Sequence, residues 1–156
     1  MPTENYRRLR ILHVEDNIGD IRLIAEALKE SGRDHETAVV SDGAEALDYL
    51  CRRGRYVDAW RPDLILLDLN LHKKGGLEVL AEIKANEDLK QIPVVVFSSS
   101  SAPQDINRAY ALNASCYITK PSDLSELFHA VGQLAKYWAN IVKLPSRPGA
   151  CDSFVR

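Results

Sequence analysis

Residues 61–71 read RPDLILLDLNL. Inside that stretch Leu64–Leu67 is an unbroken apolar run with neither strand alternation nor helical spacing, and it stops on Asp68. A short continuous run of this kind suits a strand covered on both faces, as in a parallel sheet flanked by helices. Four companions lie around it: Leu9–Val14, Thr37–Val40, Val94–Phe97 and Cys116–Ile118. Their spacing of a little under ~30 residues is the length of a strand–helix–strand unit. Pro93 opens the fourth run, a position a strand tolerates.

Between the runs the apolar residues take helical spacing. Ile21, Ile24, Ala25 and Leu28 form one face; Ala44, Ala46, Leu47 and Leu50 a second; Val79, Leu80 and Ile83 a third. Ile106, Ala109, Tyr110 and Leu112 give a weaker fourth. Leu124, Leu127, Phe128, Val131, Leu134, Ala135 and Trp138 give the clearest. Ser31-Gly32 and Arg53-Gly54 stand where helices should stop, and Asp42, Ser122 and Asp123 where they should start. The fold expected is α/β: one doubly wound, five-stranded parallel sheet. Pro145 to Arg156, with two prolines and a glycine, reads as a loose tail.

The bulk properties exclude several classes. At 156 residues the chain fits one domain with a real core. A formal net charge of −2 and no long basic run leave no electrostatic footprint for nucleic acid. No apolar run exceeds four residues, against the ~20 of a membrane-spanning helix, and residues 1–8 do not resemble a secretory signal. Cys51, Cys116 and Cys151 lack ligand spacing. Cys51 and Cys116 read as buried small hydrophobes and Cys151 as an exposed thiol, all in a reduced, cytoplasmic protein.

The strand ends carry the chemistry, because open α/β sheets bind ligands beyond the carboxyl ends of their strands. Strand one ends in Glu15-Asp16, strand three in Asp68, strand four in Ser98 and strand five at Lys120-Pro121. Three carboxylates meeting there would repel one another by ~4 kcal/mol per pair at 4 Å in a dielectric of about 20. A divalent cation relieves that repulsion, and a hard, hydrated oxygen site suits Mg²⁺. A metal, a lysine opposite it and an aspartate between them are the parts of phosphoryl transfer onto a carboxylate.

ILHVEDN (11–17), DLILLDLNL (63–71), VVVFSSS (94–100) and CYITKP (116–121) together resemble the receiver domain of response regulators. The resemblance implies the flavodoxin-like strand order 2-1-3-4-5 and a receiver domain over residues 9–144, between an extension (1–8) and the tail (145–156). It makes Asp68 the phosphoacceptor, with Glu15, Asp16, Asp68 and the backbone carbonyl of Asn70 on Mg²⁺. Ser98 and Lys120 would hold the phosphoryl group, Ser98 and Tyr117 would form the switch, and the bond before Pro121 would be cis. RPDLILLDLNL, NASCYITKP (113–121) and YWANIVKLP (137–145) most resemble the small stand-alone regulators of phytochrome-type histidine kinases. The implied partners are a sensor histidine kinase as phosphodonor and a possible downstream phosphotransfer protein, with no nucleic acid and no membrane. One segment departs from the pattern: His72 and Gly75, in HKKGG (72–76), stand where receivers often carry Pro and Asp.

Two alternatives stay open on the residues alone. A phosphatase working through an aspartyl phosphate needs a second acid two residues after the nucleophile, where this chain has Asn70. A binding module that takes no phosphate would keep the fold without the chemistry. A final helix from Asp123 to Lys143 would be ~31 Å long, against ~17–20 Å for a strand. Its overhang would carry Tyr137, Trp138, Ile141 and Val142, which are the residues expected to join a homodimer.

Overall fold

The computed structural model describes residues 8–146. Five strands alternate with five helices: β1 (Leu9–Val14), α1 (Ile18–Glu30), β2 (His35–Val40), α2 (Gly43–Leu50) and β3 (Leu64–Leu67) come first. Then follow α3 (Gly76–Ala85), β4 (Val94–Ser98), α4 (Pro103–Ala111), β5 (Cys116–Thr119) and α5 (Leu124–Lys136). All pairings are parallel and the order is β2-β1-β3-β4-β5, as the resemblance implied.

Strand alternation divides the interior into two layers. Leu12, Val14, Ile65, Leu67, Val94 and Val96 face α2, α3 and Ala109 of α4. Leu9, Ile11, Leu64, Leu66, Val95 and Phe97 face α1 and α5. The central strands β3 and β4 are therefore buried throughout, which is why their sequences do not alternate. The edge strands differ: β2 and β5 are mostly half-buried or exposed. The half-buried His35 and Glu36 start β2 two residues before the apolar run that signalled it.

Three of the five helix starts are fixed by side-chain caps. Asp42 accepts from the Glu45 amide at 2.8 Å and Asp123 from the Glu126 amide at 3.0 Å, as expected for both aspartates. For α1 the cap is Asn17, whose Oδ1 accepts from the Asp20 amide at 3.0 Å. Asp16, one residue earlier, is thereby left free of that duty.

Several expectations are corrected. The chain leaves α2 through Arg52 at φ +55°, before Gly54 is reached. Ala25 and Ala44 are exposed, the α1 face being completed by Ala27. Cys51 is exposed because it caps the end of α2; Cys116 is half-buried. The Lys120–Pro121 bond is trans, and among the described residues no peptide bond is cis. Trans is the lower-energy isomer of a prolyl bond by ~0.5–1 kcal/mol.

The largest correction concerns α5. Its α-helical part has 13 residues, ~20 Å at 1.5 Å per residue, and matches the sheet instead of overhanging it. Tyr137–Ile141 forms a wider π-turn, closed by the Val142 amide on the Tyr137 carbonyl at 3.0 Å, and Val142 is extended. Trp138 follows Leu134 by four residues and Ala135 by three, so it lies on their face and packs inside the α1–α5 layer at 8% exposure. Val142 packs against the same layer. Of the four residues expected to join a dimer, Tyr137 and Ile141 remain exposed. Of the tail, residues 147–156, with Cys151, lie outside the described residues, as do residues 1–7 of the extension.

Candidate functional site

Parallel strands deliver their carboxyl ends to one edge of the sheet, and β1, β3, β4 and β5 bring the sequence-predicted residues together there. Carboxylate oxygens of Glu15, Asp16 and Asp68 lie within 4.8 Å of one another. Glu15 is fully buried and Asp68 nearly so. Lys120 follows β5, its amide bonded to the Ser98 carbonyl of β4 at 2.7 Å. Its ammonium donates to Glu15 Oε1 at 2.5 Å and to Asp20 Oδ2 at 2.9 Å, and stands 3.8 Å from Asp68 Oδ2. Asp68 Oδ1 is buried and, among the described residues, has no hydrogen-bond partner.

One ammonium is thus shared among three carboxylates while Asp16 stands beside them. Burial pushes the Glu15 carboxyl up to about 7; the Lys120 bond opposes this, and Asp68 reinforces it. Burial works against the Lys120 charge, but its bonds to Glu15 and Asp20 and the nearby charges outweigh it and hold the ammonium above its ordinary range. Both partners of this pair move upward, Glu15 chiefly through burial and Lys120 through the acids around it. His13, on β1, is driven down to about 4, first by burial and then by the Lys120 charge, with Asp68 and Asp20 opposing.

A divalent cation fits this set. The donors are hard oxygens, the pocket carries excess negative charge, and a buried carboxylate oxygen lacks a partner. Such an atom costs ~1–3 kcal/mol or more when charged, and close carboxylates add ~3–4 kcal/mol of repulsion per pair. A cation removes both penalties. Asn70 is exposed in the loop that follows Asp68.

Ser98 is fully buried at the end of β4, its Oγ accepting from the Ser100 amide at 3.2 Å. The half-buried Tyr117 of β5 reaches the same loop, donating its hydroxyl to the Ser100 carbonyl at 2.8 Å. Ser100 Oγ in turn donates to Asp105 Oδ2, in the first turn of α4, at 2.6 Å. Hydroxyl, loop and aromatic ring therefore form one connected unit leading from the pocket to α4.

Three contributors were not singled out as site residues: Asp20, His13 and His72. Asp20 comes from the first turn of α1, and an acid in the turn directly after Glu15-Asp16 was its available signal. His13 alternates with Leu12 and Val14 on β1 and so falls on the α1–α5 side, facing Asp20 and Lys120. The His72 amide donates to Asp16 Oδ2 at 3.1 Å, and its Nδ1 meets the same oxygen.

Known proteins resemble this chain over most of its length. Residues 11–132 match the response regulator receiver domain, and the chain belongs to that family, the phosphoacceptors of two-component signalling. Response regulator Rcp1 of Synechocystis is 48% identical over 136 residues, covering 87% of this chain and 92% of that protein. Among solved structures, the phosphorylated cyanobacterial phytochrome response regulator RcpA superposes with a TM-score of 0.86 at 53% identity, over 90% of this chain and 100% of that one. The Mn²⁺-bound form of Rcp1 gives 0.84 at 48% identity, over 88% and 99%.

Proposed function

We propose that Asp68 accepts a phosphoryl group from a phosphohistidine of a sensor histidine kinase of the phytochrome class. The observation that carries the assignment is Asp68 Oδ1: a buried carboxylate oxygen without a hydrogen-bond partner among the described residues, beside two further acids and a lysine. In the transfer an Asp68 oxygen forms the new P–O bond in line with the departing imidazole. The P–N bond breaks, and its electron pair returns to the histidine of the kinase. Lys120 is poised to leave Asp20 for the incoming phosphoryl oxygens, and Ser98 Oγ can donate to another. Glu15, Asp16, Asp68 and the Asn70 carbonyl would hold Mg²⁺, which when bound supplies positive charge to the phosphoryl oxygens.

The signal follows from the hydroxyl unit. Drawing Ser98 Oγ toward the phosphate breaks its bond with Ser100, freeing the loop that anchors Tyr117 and reaches α4. This is a local charge event that selects between two packings. The chain acts as a signalling acceptor and not as a phosphatase, since Asn70 occupies the place of the second acid. It works in the cytoplasm, by protein contact or onward phosphotransfer. A homodimer would use Tyr137 and Ile141, the exposed pair in the π-turn after α5.

Intact mass after incubation with acetyl phosphate and Mg²⁺ tests the core of this. A gain of one phosphoryl group that requires the metal, and is lost in Asp68→Asn, is expected. No gain from any phosphodonor would leave a receiver-shaped binding module.

A further inference from the structure

We infer that His72 is a positioning residue for the metal pocket, holding Asp16 in place for a divalent cation. The inference rests on the metal-holding role proposed above for Glu15, Asp16 and Asp68. Within the pocket Lys120 serves Glu15 and Asp20 directly and Asp68 at longer range. Asp16 is held instead by His72. Two groups of His72, the backbone amide at 3.1 Å and the ring Nδ1, converge on the single oxygen Oδ2. An ionised carboxylate oxygen cannot donate, so Nδ1 carries the hydrogen and donates it to Oδ2.

The pocket thus divides its carboxylates between two holders, and His72 comes from the loop between β3 and α3, the loop that Asp68 opens. Both donors meet Oδ2, which leaves Oδ1 of the same carboxylate for a cation, so the clamp directs Asp16 without consuming it. A carboxylate fixed beforehand loses less freedom when a cation arrives, and outer partners of metal ligands of this kind typically change affinity ~10–100-fold when removed. The His72 ring is 88% exposed, which places the effect at the lower end of that range and makes the substitutions harmless to the core. A proline here would abolish both donors at once, having no N–H of its own.

The test is Mn²⁺ affinity of the full chain at pH 8, read from the electron paramagnetic resonance signal of free Mn²⁺. No phosphodonor is present, so the readout is independent of phosphorylation. His72→Ala should weaken binding ~10-fold, and His72→Pro should weaken it further. His72→Asn, whose amide can take the place of Nδ1–H, should recover most of the loss. The metal-free melting temperature should stay unchanged in His72→Ala and His72→Asn. Equal affinity in wild type and His72→Ala, or no recovery in His72→Asn, would overturn the inference while leaving the phosphoacceptor proposal intact. No Mn²⁺ binding by wild type would overturn both the inference and the metal assignment beneath it.

Discussion

Two buried groups at the candidate site titrate in the same pH window with opposite consequences for stability. His13 has its folded pKa lowered from 6.5 to about 4. Its contribution is present above pH 6.5 and is lost as pH falls through about 4, because the unfolded chain takes up the proton first. At 1.36 kcal/mol per unit, that shift corresponds to about 3 kcal/mol. Glu15 runs the other way, its folded pKa being raised from 4.5 to about 7. Its contribution is present below pH 4.5 and is lost as pH rises through about 7, because the folded chain retains a proton that the unfolded chain has released. The size is again about 3 kcal/mol by the same conversion. Between pH 4.5 and 6.5 the two slopes oppose each other, and the metal-free wild type should show little pH dependence from this pair.

Single substitutions separate them. In His13→Leu, stability relative to wild type should tilt downward as pH rises from 4.5 to 6.5; in Glu15→Gln it should tilt upward. Each tilt should approach ~1.4 kcal/mol per pH unit, and the double variant should be flat again. Urea denaturation in EDTA at half-unit pH steps measures these differences and cancels titrations elsewhere in the chain. Added Mn²⁺ should remove the Glu15 limb, since a bound cation keeps that carboxylate ionised. If the stability of both single variants ran parallel to wild type across the window, the burial-driven shifts would be wrong, and with them the account of an overcrowded acidic pocket.

Two further outcomes follow from packing. In Gly76→Ala the new Cβ would stand 2.3 Å from the Asp68 carbonyl oxygen and 2.6 Å from Leu69 Cα, both backbone. A loss of ~1–3 kcal/mol should therefore accompany slower phosphorylation; normal rates would show that Asp68 is not displaced. Trp138→Ala should cost ~3–5 kcal/mol as a core truncation, seen as a lower melting temperature; a stable variant changed only in its state of association would return Trp138 to the surface.

What the sequence made legible was whatever a buried strand imposes on it. β3 and β4 are covered on both faces, so their apolar runs had no polar interruptions and their ends stood out sharply. The edge strand β2 lacks that constraint at His35 and Glu36, and its start was hidden for the same reason. The end of α5 was expected to overhang, although its spacing already put Trp138 on the inward face. Trp138 continues the inward face of Leu134 and Ala135, whereas Tyr137 and Ile141 do not, and the π-turn ends the helix before it can overhang.

The site followed a similar rule. Glu15, Asp68, Ser98 and Lys120 sit at or just past strand ends, and parallel strands must bring those ends together, so sequence position alone implied proximity. Asp20 and His72 reach the pocket from a helix turn and a loop, whose paths no periodicity encodes. Their roles are of the same kind: each donates or accepts at an atom that a strand-end residue presents, Asp20 at the Lys120 ammonium and His72 at the Asp16 carboxylate. The strand ends therefore fix which chemistry is possible. The surrounding loops set how much of the pocket's excess negative charge remains for a cation to neutralise, and loop substitutions such as His72 are where relatives with the same acids can differ in metal affinity.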